Sequence, residues 1–219
     1  MKTTRSVGWL AADTDARLTV VVPPVLSGAL ANCWALAASS LTLVGSPLKV
    51  VFGKGVKLSG LLSQGGAPLA GLPVSVSAEP FGTSTFTNLA TVTTSTTGAY
   101  STTTKPKKQT VYQASAAGVT APPTVTVKVA QRLTLSVRRK AGKVYLKGTL
   151  GPKKRRRVIV IQVRAGKRWH KLGRVRTTKK STFKLVRALK PGHAYKFRAK
   201  TAGYPGLLGG TSRTVGLRK

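Results

Sequence analysis

The residues of this sequence whose type and spacing could do chemistry are clusters of lysine and arginine. Positions 153–157 are five consecutive cations, and Arg174 and Arg176 flank a valine. Over positions 195–200 three more cations alternate with Tyr, Phe and Ala, which on a strand places them on one outward face at intervals of about 6.6 Å. Cations grouped in this way attract anionic polymers. The predicted polyanion-binding residues are Lys153, Lys154, Arg155, Arg156, Arg157, Arg174, Arg176, Lys196, Arg198 and Lys200.

The positive charge is concentrated in the second half of the chain. The 219 residues include 38 Lys and Arg and only three acids, for a net charge of +35, and 28 of the 38 cations lie after position 129. Many of these neighbours must lie within the Debye length of about 8 Å, so they repel one another, and a bound polyanion would relieve that repulsion. The same charge is compatible with a solvated basic surface without a ligand and, for 153–157 alone, with a nuclear import signal.

The composition argues against catalysis and against metal binding. The acids are Asp13, Asp15 and Glu79, so no pair of carboxylates is available after the first 15 residues for acid–base work or for a hard cation. His170 and His193 are the only histidines, and neither has Cys, Asp or Glu near it in the sequence. We therefore expect a protein that is not an enzyme and that needs no cofactor and no metal.

An uncharged segment near the N-terminus predicts export. Between Arg17 and Lys49, 31 consecutive residues carry no charge, and the apolar part of this run ends among small residues at Ala35-Leu36-Ala37. This order is typical of a cleaved signal peptide. Residues 1–37 are therefore assigned as a signal peptide-like segment, and the protein is expected to be extracellular or on the cell surface.

Three alternatives for this segment stay open. Leu30-Ala31-Asn32-Cys33 resembles a lipobox, with Cys33 as the lipidated residue. The uncharged run is also long enough to cross a hydrocarbon core of about 30 Å as an anchor, or to form a buried helix. Contact with a membrane is thus expected only through an uncleaved or lipidated leader. Because Cys33 is the only cysteine, the chain forms no internal disulfide.

The rest of the chain contains an internal repeat. Six residues of the first half recur in the second half at a constant displacement of 83 positions. A further block, Val56 to Leu62, recurs as Val144 to Leu150 at a displacement of 88, which predicts that the second copy has lost about five residues in a loop. The six matched pairs are Phe86/Trp169, Leu89/Leu172, Val92/Val175, Thr94/Thr177, Tyr100/Phe183 and Tyr112/Tyr195.

Within each copy the apolar residues have the period of a β-strand. Val56 and Leu58, or Val144 and Leu146, alternate with mostly polar neighbours, and turn signals rich in Gly and Pro separate the short segments. Short strands with frequent turns predict antiparallel sandwiches. The fold class is therefore all-β, with two tandem antiparallel β-sandwich domains, 41–129 and 131–219, after the signal-like segment.

Trp169 has two interpretations. Its indole could stack on a base or a sugar ring. Its match to Phe86 in the repeat favours instead a packing residue at a repeated position.

Three motifs resemble the immunoglobulin-like and fibronectin-like repeats of secreted bacterial surface proteins. They are the V-x-L-x-G-x-L strand at 56–62, the segment Leu69-Ala70-Gly71-Leu72-Pro73-Val74, and Phe86-Thr87-Asn88-Leu89-Ala90-Thr91 followed by Gly98-Ala99-Tyr100. The resemblance covers about 175 residues. It implies two tandem immunoglobulin-like antiparallel β-sandwich domains that act as spacers, adhesion units or accessory domains. The second copy departs from the pattern, because it has Ser181 where the first has Gly98 and because it is extremely basic.

The sequence therefore favours a non-enzymatic, exported pair of modules that acts in adhesion or spacing, with the second module bound to an anionic cell-envelope polymer such as teichoic acid or an acidic glycan. A nucleic-acid-binding protein that uses the same cations on phosphate is the alternative. A spacer without a ligand is the third hypothesis.

Overall fold

The computed structural model describes residues 39–190 and 193–217, and every regular element in these ranges is a β-strand. The signal peptide-like segment 1–37, its cleavage site and Cys33 lie outside the described residues. Over the described ranges there is no helix with the length and apolar character that a membrane crossing requires.

Ten strands make up the first sandwich, residues 39–130. They are β1 Ser39–Leu41, β2 Val44–Ser46, β3 Lys49–Val51, β4 Val56–Gln64, β5 Ala67–Pro68, β6 Pro73–Pro80, β7 Thr87–Thr93, β8 Ala99–Thr104, β9 Thr110–Ser115 and β10 Thr124–Ala130. One sheet has β4 at its centre, paired with β1, β2, β5 and β8, and the other has the order β3-β10-β9-β6-β7. All pairings are antiparallel except β3 with β10.

Nine strands make up the second sandwich, residues 132–217. They are β11 Arg132–Leu133, β12 Ser136–Lys140, β13 Lys143–Gly151, β14 Val158–Ala165, β15 Arg168–Arg176, β16 Thr182–Ala188, β17 Tyr195–Thr201, β18 Gly210–Thr211 and β19 Val215–Leu217. Here β13 pairs with β11, β12 and β16, and the facing sheet has the order β15-β14-β17, with β18 and β19 both on β17.

Each sandwich has its own apolar core between its two sheets. Val56 and Leu58 of β4 are fully buried in the first, and Val144 and Leu146 of β13 are fully buried in the second. Side chains one position away point outward, because successive residues of a strand face opposite sides of a sheet. The predicted fold class, two tandem immunoglobulin-like sandwiches, is confirmed for the described residues.

Hydrogen bonds show which repeat matches are structural equivalents. Thr94 and Thr177, 83 positions apart, are both buried, and each hydroxyl donates to a main-chain carbonyl, that of Leu69 or that of Lys154. Each hydroxyl oxygen also accepts a main-chain N–H, from Leu72 in one copy and from Arg157 in the other. These residues therefore hold the same loop in the two copies.

The match of Tyr112 with Tyr195 is wrong. Tyr112 of β9 lies opposite Ala78 of β6 and is 1% exposed. In the second sandwich the fully buried aromatic residue of the equivalent strand is Phe197, which lies opposite Val163, whereas Tyr195 is only partly buried. The displacement there is 85, because the two copies differ in the length of the loop before this strand, and a constant displacement cannot follow such a change.

A glycine of the V-x-L-x-G-x-L strand fits against an aromatic ring in both sandwiches. A Cβ on Gly60 would meet the Thr42 carbonyl and the Tyr100 hydroxyl, and a Cβ on Gly148 would meet the Thr134 carbonyl and the Phe183 ring. Tyr100 also donates its hydroxyl hydrogen to the Thr42 carbonyl. Burial raises the pKa of Tyr100 to about 12, because the ionised phenolate would lose its hydration.

The two sandwiches are joined by more than the chain between them. We call residues 202–209, which follow β17, the junction loop. Leu207 of this loop is 6% exposed and belongs to the core of the first sandwich, against which Tyr204 also packs. Gly206 accepts a hydrogen bond from the Gln109 amide at 2.7 Å, and the Leu208 amide donates to Val129 at 2.8 Å. A segment of the second half therefore completes the core of the first.

Gln131, between β10 and β11, fastens the same junction. Its side chain is 2% exposed, and its Nε2 donates to the carbonyls of Ala202 at 2.9 Å and Leu208 at 3.2 Å. Its main-chain amide also donates to the Leu208 carbonyl. Because a buried N–H group without an acceptor is costly, Gln131 fixes the path of the junction loop beside the connection between the sandwiches.

Candidate polyanion interface

The outward side of the sheet formed by β14, β15 and β17 carries five of the ten predicted cations. Ile159, Ile161 and Phe197 of this sheet point into the core, so their neighbours along each strand point to solvent. We call this outward side the basic face. Its predicted members are Arg174, Arg176, Lys196, Arg198 and Lys200.

Strand register brings these cations together. Arg174 of β15 lies opposite Val160 of β14, which in turn lies opposite Lys200 of β17. Arg176 continues the row on β15 beside Val158. Because neighbouring strands are about 4.8 Å apart, residues from distant parts of the sequence form one charged surface. The prediction that Lys196, Arg198 and Lys200 share one face agrees with the alternation of burial along β17.

Two further cations belong to the basic face, and sequence reasoning missed both. Arg164 of β14 lies opposite Trp169 and Lys196, and Lys171 of β15 lies opposite Gln162. Both side chains are exposed. A register shift between Ile161 and Gln162 places Lys171 on this face, so simple alternation along β15 could not have located it.

Arg198 differs from the other cations of the face in being held by two side chains. Its Nε donates to the Gln162 Oε1 at 2.8 Å, and its guanidinium carbon lies 4.2 Å from the centroid of the Trp169 ring. Arg198 is partly buried, whereas Lys196 and Lys200 are exposed. Stacking on indole together with one hydrogen bond restricts the orientation of the guanidinium.

Trp169 is a packing residue, but not at a repeated core position, and its stacking on a base or a sugar ring stays a prediction. Phe86, its repeat match, is 39% exposed, and neither aromatic residue belongs to a core. Trp169 packs instead under Arg198, which covers one face of the indole. This contact forms because β14 pairs with both β15 and β17, and that strand order cannot be inferred from the sequence.

The loop 153–157 lies at the end of the same sheet, before β14. Lys153, Lys154, Arg155 and Arg156 are exposed, as expected for cations that could meet a ligand. Ser181 helps to hold the loop, because its hydroxyl accepts a hydrogen bond from the Lys154 amide. Ser181 has a φ of 58° and Gly98 a φ of 71°, so the serine keeps the left-handed turn of the first copy at some conformational cost.

Arg157 differs from the other four cations of this loop. Its Nη2 donates to the Ala202 carbonyl at 2.7 Å, and its guanidinium lies 4.7 Å from the centroid of the Tyr204 ring. Burial raises the pKa of Tyr204, and the positive charge of Arg157 opposes that rise. Because its partly buried side chain is engaged with the junction loop, Arg157 offers less of its guanidinium to a polymer than its four exposed neighbours do, and its binding role stays a prediction.

No counter-ion for this charge comes from the described residues. The only described acid is Glu79, on β6 of the first sandwich. Across residues 39–190 and 193–217, no three His, Cys, Asp or Glu side chains are grouped as metal ligands. His170 and His193 are both exposed, and His193 lies 6.2 Å from Tyr195, ring centroid to ring centroid.

No family model matches the chain, and no curated protein matches it. Among solved structures, the chain is similar to the adhesin InvE of Yersinia pseudotuberculosis, with 15% identity, a TM-score of 0.38, and 84% of this chain and 61% of that one covered. It is similar to the C-terminal 282-residue fragment of intimin, solved with the intimin-binding domain of the translocated intimin receptor, with 14% identity, a TM-score of 0.46, and coverage of 82% and 64%. For a tetra-tandem repeat in the extending region of a large adhesion protein, the identity is 15%, the TM-score 0.40, and the coverage 83% and 50%.

The chain therefore spans less than two thirds of each of these three structures. At such low identity the likeness concerns the fold alone.

Proposed function

We propose that this protein is a non-enzymatic module pair of the cell surface or the secreted fraction, and that its second sandwich docks to an anionic polymer through the basic face. The partner class is an envelope polymer with repeated phosphate or carboxylate groups, such as a teichoic acid or an acidic glycan. The first sandwich, joined to the second by the junction loop, positions that face.

One observation carries the proposal: seven cations from three strands share one side of one sheet, and no described acid lies in that sandwich. The seven are Arg164, Lys171, Arg174, Arg176, Lys196, Arg198 and Lys200. Like charges held this close raise the free energy of the folded protein, and a polymer with closely spaced anions lowers it by releasing counter-ions.

Removing three exposed cations from the basic face should weaken binding and its salt dependence. With Arg174, Lys196 and Lys200 all changed to alanine, the slope of log affinity against log salt on duplex DNA should become shallower by up to about three units, because each phosphate contact contributes about 0.9. The affinity for purified teichoic acid should fall with it. Titrations at several salt concentrations measure both quantities.

The opposite sheet of the same sandwich supplies a matched control. Lys140, Lys143 and Lys147 are exposed on β12 and β13, and their removal lowers the net charge by the same amount. This triple variant should keep nearly the full slope. Equal losses of affinity and slope in the two triple variants would show that net charge, and not the basic face, determines binding. If the unmodified protein shows no salt-sensitive binding, the spacer hypothesis is supported instead. A preference for DNA over teichoic acid would support the nucleic-acid alternative.

The proposed location has its own test. The mature protein should begin near Ala38 and be found outside the cytoplasm, because the segment before it has the order of a signal peptide. Mass spectrometry of the native protein from fractionated cells measures this start. Residues 1–30 intact on a cytoplasmic product would contradict export, and a lipid mass on Cys33 would establish the lipoprotein alternative.

A further inference from the structure

Among the described cations of the basic face, Arg198 is the one whose guanidinium is held by two side chains, whereas Arg164 donates its Nε hydrogen only to the Gly166 carbonyl. The Trp169 ring lies 4.2 Å from the guanidinium carbon, and the Gln162 Oε1 accepts the Nε hydrogen at 2.8 Å. Trp169 and Gln162 come from two different strands, β15 and β14. A side chain restrained from both sides loses less conformational entropy on binding than a free lysine does.

The two Nη groups of Arg198 remain for a ligand. Neither makes a hydrogen bond within the described part of the chain, since the single bond of this guanidinium uses Nε. Lys196 and Lys200 lie two positions away on the same strand, and Lys171 lies beyond Gln162. Arg198 is thus surrounded by exposed cations that attract an anionic group without fixing its orientation.

The position of Trp169 limits the kind of polymer that fits. Stacking of a base needs an open aromatic face, and one of the two faces of the indole is already occupied by the Arg198 guanidinium. An anionic group with two oxygens in one plane, a phosphodiester or a carboxylate, can instead take two parallel hydrogen bonds from a guanidinium.

We propose that Arg198 is the specificity-determining residue of the basic face, with Trp169 as its positioning residue, and that the face recognises the anionic groups of a polymer without stacking on aromatic rings. This inference rests on the proposed docking function. It adds that the charges of the face, including that of Arg198, set the salt dependence, while the orientation of the Arg198 guanidinium adds affinity that does not depend on salt.

The test uses the full chain with two probes of equal charge, inorganic polyphosphate and an oligothymidylate. Arg198→Lys keeps the charge, so the salt slope should be unchanged, while the affinity for polyphosphate at fixed salt should fall by about tenfold because the paired hydrogen bonds are lost. Trp169→Leu should give a similar loss with the same slope, and the double variant should be no weaker than either single variant.

Lys200→Arg is the matched control. It swaps lysine and arginine in the opposite direction at a site with no supporting ring, and the affinity should stay within about twofold. Thermal unfolding of each variant shows whether the fold is kept. Arg198→Gln, a second variant of similar size, should lose affinity and also make the salt slope on oligothymidylate shallower by about 0.7.

The possible failures are distinct. If the unmodified protein binds polyphosphate in a salt-sensitive way but Arg198→Lys binds equally well, the role of Arg198 is overturned and the docking function stands. If the unmodified protein binds oligothymidylate more tightly than polyphosphate, and if Trp169→Leu loses this preference, the proposal that the face binds without ring stacking is overturned. Absence of salt-sensitive binding to either probe would overturn both proposals.

Discussion

Replacement of Phe183 by alanine is expected to lower the free energy of unfolding of the second sandwich by about 3 to 5 kcal/mol. Phe183 is 2% exposed, and its ring lies where Gly148 has no side chain. Alanine would leave a cavity between β13 and β16 that neighbouring strands cannot fill without moving. Chemical denaturation followed by circular dichroism measures the loss, and amide exchange along β13 and β16 locates it.

Tyr100 gives this prediction a matched control in the first sandwich. Tyr100→Ala should destabilise by a similar amount, because the residue is 3% exposed and occupies the equivalent position. Tyr100→Phe reproduces the second copy, and it should cost only about 0.5 to 1.5 kcal/mol, for the hydrogen bond to the Thr42 carbonyl. A loss below about 1 kcal/mol for Phe183→Ala would contradict the structural equivalence of the two rings.

Leu207→Ala is expected to destabilise the first sandwich by about 2 to 5 kcal/mol, although the residue follows β17 of the second. Leu207 is 6% exposed and packs in the core that contains Val127 and Tyr112. Its truncation therefore opens a cavity in that core. Amide exchange should become faster along β9 and β10, and proteolysis of the first half should begin at lower denaturant concentration.

Leu208→Ala is the control for Leu207→Ala. The side chain of Leu208 is partly exposed, and its hydrogen bonds with β10 and Gln131 use the main chain, so alanine should cost much less. Faster exchange confined to the second sandwich would show that Leu207 does not stabilise the first. A fragment 41–129 lacks Leu207, and we expect it to be less stable than the same residues within the full chain.

Patterns that arise within single strands made most of the fold predictable. Alternation at Val56 and Leu58 follows from the two-residue period of a strand, so the buried positions could be assigned without knowing which strands pair. The repeat added the equivalence of Tyr100 with Phe183, because few insertions separate that part of the two copies. These are local properties of the chain.

Features that depend on strand order and register were not predictable. The contact of Trp169 with Arg198 needs β15 and β17 on either side of β14, and a register shift beside Gln162 determines which residues meet. Arg157 carries the same charge as its neighbours in the loop, and only its contact with Tyr204, far away in the sequence, makes it partly buried. A run of charges reflects composition, whereas availability depends on tertiary contacts.

The junction loop also has a mechanical consequence. Modules connected by a bare linker swivel independently, and a pull on one is not transmitted as torque to the other. Here Leu207 packs in the core of the first sandwich, while Gln131 and Arg157 both donate hydrogen bonds to the Ala202 carbonyl of the loop. The two sandwiches should therefore move as one rigid body. A force that a bound polymer exerts on the basic face would then be transmitted to the first sandwich.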